Sequence, residues 1–250
     1  MSSVTISLIA FAIVFGGAMV GMAIRSILPP GHFDSDSKDV VKLGMGLVAT
    51  LAALVLGLLT ASAKSSLDTQ NTELTEMSSK MVLLDRVLAH YGPDAQQSRI
   101  QLRRAIVSTL NLAAPTDQTH ASRLEPPADR EGLYDSVEKL PSTDDEQRFA
   151  KSQALSILMS LGQTRWLIME QRVNAVPVPL LIVLVFWLSI IFTSFGLFAP
   201  RNITVVASLL VSALSVSGAI FLILEMYSPY TGIIHVSTAP LREALTHLGQ

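Results

Sequence analysis

The sequence predicts an all-α integral membrane protein, with four transmembrane helices and a helical soluble domain inserted between the second and third. Three observations lead there. Half of the residues are hydrophobic, only 15% are charged, and mean hydropathy is +0.46, whereas a soluble domain carries about a quarter charged residues. The charge is also unevenly placed, since Lys64–Arg172 holds 28 of the 38 charged residues, 13 basic and 15 acidic. Finally, four stretches contain no Asp, Glu, Lys or Arg: Ile6–Ile24, Leu43–Ala63, Val173–Pro200 and Asn202–Leu224. At about 1.5 Å per residue each can cross a hydrocarbon layer roughly 30 Å thick. In lipid a backbone must satisfy its own hydrogen bonds, which makes such spans helices.

The first helix pair therefore occupies 1–63, with spans near 6–24 and 43–63. The first span has no basic residues before it and is interrupted by glycines, so it is expected to stay as a helix rather than leave as a signal peptide. The soluble domain follows over 64–174. Leu67, Leu74, Met81 and Leu88 recur every seven residues, with Met77, Leu84 and Tyr91 between them. This is an apolar seam at coiled-coil spacing, carried on a helix that continues out of the second span. Gly92-Pro93 is expected to end it. A second helix is predicted from Asp94 to Leu112, with Ile100, Ile106, Val107 and Leu110 as its apolar contacts. Ala114–Ser142 reads as irregular, with a turn or two of helix around Leu133–Leu140. Ser142-Thr143-Asp144-Asp145 then supplies caps and first-turn acids for a long helix, whose face would carry Phe149, Ala154, Ile157, Leu158, Leu161 and Ile168. Pro177 and Pro179 mark the break before the second helix pair. That pair lies in 175–227, with spans near 177–198 and 203–225, and 228–250 is a tail with a short amphipathic helix.

Several function classes find no support in these residues. Net charge is −2 and the pI about 6.2, so no basic surface points to nucleic acid. Cysteine is absent, which removes disulfides, thiol catalysis and thiolate metal sites. His32, His90, His120, His235 and His247 are scattered without metal-ligand spacing. Asp144-Asp145-Glu146 lacks the glycine and loop spacing of a calcium-binding EF-hand. No P-loop, nucleophile-elbow or zincin motif occurs. Neither an enzyme nor a cofactor is expected.

What remains is a set of membrane-helix features. Ala49, Ala53, Gly57 and Ala61 place small residues at i,i+4 spacing along the second span. Such a stripe lets two helices approach closely, and it reads either as packing within the chain or as the face of an oligomer axis beside a pore. Gly17-Ala18-Met19-Val20-Gly21 is a shorter case in the first span. Lys42 and Glu225 are polar residues expected at the membrane interface, Glu225 beside Tyr227 as an aromatic anchor. Ser208, Ser212, Ser215 and Ser217 give the fourth span hydroxyls for helix-to-helix bonds or a wet path. Charge does not orient the chain. Lys64, Lys80, Arg165, Arg172 and Arg242 flank the membrane on the domain side, against Arg25, Lys38, Lys42 and Arg201 opposite.

Two runs carry a resemblance. One is Ser37-Lys38-Asp39-Val40-Val41-Lys42-Leu43-Gly44-Met45-Gly46-Leu47, continuing through Ala61-Ser62-Ala63-Lys64-Ser65-Ser66. The other runs from Leu224-Glu225 through Pro229-Tyr230-Thr231-Gly232 to Ala239-Pro240-Leu241-Arg242. With Phe195-Gly196-Leu197-Phe198-Ala199-Pro200-Arg201-Asn202 between spans three and four, they resemble the bestrophin-like domain family of bacterial membrane proteins of unknown function. The resemblance covers nearly the whole chain. It implies a multi-pass protein of the bacterial inner membrane with the soluble domain in the cytoplasm. It also implies a homo-oligomer that conducts small anions through a pathway lined or supported by the second span. Two features depart from animal bestrophins: Leu43–Ala63 contains no aromatic residue, and Ser228–Gln250 has Glu243 as its one acid where a calcium-binding acidic run would lie. The competing expectation is a membrane-anchored sensory or partner-binding protein, in which the Leu67–Tyr91 seam is a dimeric coiled coil.

Overall fold

A computed structural model describes residues 2–27, 35–113, 128–171, 177–227, 233–234 and 237–248. Helices α1 (Ser3–Ile27), α2 (Ser35–Tyr91), α3 (Gln96–Ala113), α4 (Ala128–Glu138), α5 (Asp145–Gln171), α6 (Val178–Phe198), α7 (Ile203–Met226) and α8 (Ala239–His247) follow one another, and the described residues contain no strand. Four of them, α1, α2, α6 and α7, are long and apolar enough to cross a membrane. The chain divides into two compact units, 1–66 with 175–228, and 67–174 with 229–250. The C-terminal tail thus belongs with the charge-rich middle of the chain. Helix α2 supplies residues to both units without a break.

The first unit is built on α1, which packs against α6 and α7. Its buried residues Ser7, Ala10, Val14, Ala18, Gly21 and Met22 follow a helical period along one face. Where α1 meets α6, glycines replace side chains. A methyl group on Gly21 would overlap the Thr193 carbonyl oxygen, and one on Gly196 would overlap that of Ala18. Gly17 lies under Thr193 and Ser189. The Gly17–Gly21 pair therefore serves a contact inside the chain, and Gly196 is the reciprocal half that lets the backbones touch. Ser217 of α7 adds a crosslink by donating to the carbonyl of Ser7.

The second unit closes around the apolar seam of α2. Leu74, Met77, Met81, Leu84, Leu88 and Tyr91 are buried in one core with Leu102 and Ile106 of α3, Leu133 and Val137 of α4, Ala150, Ala154 and Ile157 of α5, and Leu241 of α8, with Leu67 packed at its edge. The seam is filled by the chain's own helices and offers no face to a dimeric coiled coil. Gly92, at φ 112°, takes the chain out of α2 in a conformation open to glycine. Inside the unit Asp85 accepts two hydrogen bonds from Arg99, at 2.8 and 2.9 Å. That bond raises the Arg99 pKa, burial lowers it, and the charge of Asp85 raises it again. Ser78 donates to the Pro240 carbonyl at 2.6 Å, which holds the start of α8 against α2.

Some expectations need correction. On α3 the buried face is Ser98, Leu102 and Ile106, while Ile100 and Val107 point outward. Phe149 of α5 is 72% exposed, and Ala150 takes its place in the core. The turn or two around Leu133–Leu140 is an eleven-residue helix that begins at Ala128 and stops before Leu140. The start of α5 is capped as its sequence predicts, with the Gln147 N–H donating to Asp144 Oδ1 at 2.7 Å and the Thr143 N–H to Gln147 Oε1 at 3.0 Å. Helix α6 opens after Pro177, with Pro179 in its first turn. The expected contact of Ile168 and the irregular stretch 114–127 lie outside the residues whose placement is described.

Candidate functional site

Helix α2 has two unequal sides in the first unit. Ala52, Leu59 and Ala63 are buried, with Met45, Val48, Val55 and Leu56 around them, in a core shared with Leu181, Leu184 and Ile191 of α6 and Ile220, Ile223 and Leu224 of α7. The small-residue stripe lies elsewhere. Ala49, Ala53, Gly57 and Ala61 are all exposed, and a methyl group on Gly57 would meet nothing within 4 Å. Beside them stand exposed Leu43, Leu47, Leu54 and Leu58. In its most apolar window α2 is 11% buried, against 33% for α1, 28% for α6 and 22% for α7. The most apolar surface left without intramolecular contacts is therefore on α2, and the stripe belongs to it. Within the same helix the exposed residues change character beyond Ala61, from aliphatic to hydroxyl and charged: Ser65, Asp68, Thr72, Thr75 and Ser79. Thr72, Thr75 and Ser79 donate to carbonyls one turn back, which leaves their oxygens facing outward as acceptors.

The polar residues singled out at the ends of the spans are placed differently from each other. Lys42 is exposed and pairs with Asp39 at 3.3 Å. Glu225 is 4% exposed in the last turn of α7. Nearby, the Tyr227 hydroxyl donates to Ser62 Oγ at 3.0 Å and ties the end of α7 to α2. Among the serines of α7, Ser217 bonds α1, Ser215 donates to its own helix at Val211, and Ser208 and Ser212 are exposed.

The match that decides the family spans residues 12–241, where the chain fits the model of the bestrophin-like domain. This protein belongs to the bestrophin-like domain family. The match takes in all four long apolar helices of this bestrophin-like chain except the start of the first, together with the charged unit between them. None of the curated proteins and none of the solved structures matches it.

Two residues missed as site candidates are Arg25 and Arg201. Arg25, in the last turn of α1, donates to the Ala199 carbonyl just past α6, and Arg201 donates to the Met22 carbonyl of α1 at 2.7 Å. Their acceptors are 174 and 179 residues away in the chain, so no local pattern announces them.

Proposed function

We propose that this bestrophin-like protein is a multi-pass protein of the bacterial plasma membrane that assembles from several copies of itself and conducts small anions, with α2 beside the pathway. The observation that carries this is the bare face of α2, which presents Ala49, Ala53, Gly57 and Ala61 outward on the least buried of the four apolar helices. In lipid, helices associate through close packing of small residues, and a second copy supplies what the chain itself does not. The leucines along the same helix suit a hydrophobic constriction that gates by wetting and drying. The hydroxyl-rich continuation beyond Ala61 suits a hydrated mouth. Family membership supports the same assignment, and in this reading the charged unit faces the cytoplasm. No catalytic step and no cofactor is assigned.

Gly57→Leu is the variant that tests this, because the single chain has open space there. The expected result is a folded protein with altered assembly or with anion flux changed at least severalfold in liposomes. Unchanged flux and unchanged particle mass would remove α2 from the pathway.

A further inference from the structure

Two arginines tie together one corner of the first unit. Arg25 and Arg201 reach across the same junction in opposite directions, one from α1 to the end of α6, the other from the start of α7 back to α1. Met22, which accepts from Arg201, is three residues before Arg25 and so lies about one turn away on α1. Both acceptors are backbone carbonyls, that of Ala199 at the C-terminal end of α6 and that of Met22 in the C-terminal part of α1, and a neutral carbonyl holds a cation without cancelling its charge. Each guanidinium has five N–H donors in a fixed fork, and among the described residues each gives one bond to a carbonyl. The first carboxylate after Arg25 whose side chain is described, Asp39, is already paired with Lys42. The described residues of this junction therefore keep two positive charges that are held in place.

What surrounds them narrows the ligand. Ile24, Ile27 and Ile203, beside the two arginines in the chain, are 38%, 81% and 88% exposed. A forked cationic pair next to bare aliphatic side chains fits a molecule with an anionic head and an apolar body. Guanidinium forks match phosphate oxygens. We propose that Arg25 and Arg201 together bind the phosphodiester headgroup of an anionic phospholipid, with its acyl chains along the ends of α1 and α7. A site of this kind presupposes the membrane-spanning reading given above.

The test uses the full chain, purified and placed in phosphatidylcholine nanodiscs, with phosphatidylglycerol titrated in and retained lipid counted by native mass spectrometry. Wild type is expected to retain phosphatidylglycerol over phosphatidylcholine, and the Arg25→Gln/Arg201→Gln pair to bind it about tenfold more weakly or worse. Lys42→Gln should leave binding unchanged. Should the double glutamine variant fail to fold, Arg25→Lys/Arg201→Lys keeps the charge and loses the fork, and its affinity should fall between the two. Equal retention of the two lipids by wild type, or undiminished retention by a folded arginine variant, would overturn the proposal. So would displacement of the lipid by millimolar inorganic phosphate, which would mark a site for a free anion. Flotation of the protein with vesicles after alkaline washing is read separately: failure there defeats the membrane reading, while flotation without lipid preference defeats this site alone.

Discussion

Tyr91 shows how much one side chain reports. Its ring is buried in the core of the second unit, and its hydroxyl has no hydrogen-bond partner among the described residues. Burial, then the carboxylates of Asp94 and Asp144, raise its pKa above the ordinary value of 10.0. The folded state therefore holds the phenolic proton more tightly than the unfolded state. The corresponding stability is fully present below about pH 10 and is lost as pH rises through the folded value. Tyr91→Phe sacrifices no described hydrogen bond, so it should be neutral or up to about 1 kcal/mol stabilising at neutral pH. It should also lose less stability than wild type above pH ~10. Denaturant midpoints of the two proteins near neutral pH and in alkali check both points, and parallel curves would contradict them. The seam that contains Tyr91 was readable because its period is local. The Arg25 and Arg201 contacts were not, since each depends on a carbonyl brought near by folding. As charges counted for orientation they were visible, as donors to backbone carbonyls they were not.

At the scale of elements the contrast lies between two glycine positions. Gly21 and Gly196 sit where backbone meets backbone, while Gly57 faces open space. Gly21→Ala or Gly196→Ala should force α1 and α6 apart and destabilise the protein by about 3 kcal/mol, while Gly57→Ala should be tolerated by the single chain. Melting curves of the three variants in detergent check this, and a wild-type melt for Gly196→Ala would show that α1 and α6 are not in this contact. In sequence the two cases look alike, as small residues four apart, and only the neighbour they face separates them. The long apolar helices were legible because each carries a long stretch without Asp, Glu, Lys or Arg. The start of α5 was legible because Ser142-Thr143-Asp144-Asp145 offers capping side chains and first-turn acids. Hydrophobicity without phase misled elsewhere. Ile100, Val107 and Phe149 are apolar but stand off the buried face of their helices, where Ser98 and Ala150 are inside. Helix α4 was underestimated because Ala128–Glu138 is rich in charge and its burial rests on few positions, among them Leu133 and Val137.

At the scale of the whole molecule, apolar and charged residues are sorted into two units, and α2 belongs to both. The charge-rich unit has consumed its own seam, so coiled-coil pairing through Leu67–Tyr91 is closed to it. The apolar unit has not consumed the exposed face of α2. Bestrophin-like family membership gives that face its meaning in the proposed assembly, and the stripe alone left both packing within the chain and an oligomer axis open. The most direct measurement is chloride flux from liposomes containing the purified full-length protein, with particle mass determined on the same preparation. Selective flux from a particle of several copies is the predicted result. A monomer that passes no chloride, inserted in either direction and across pH, would contradict it.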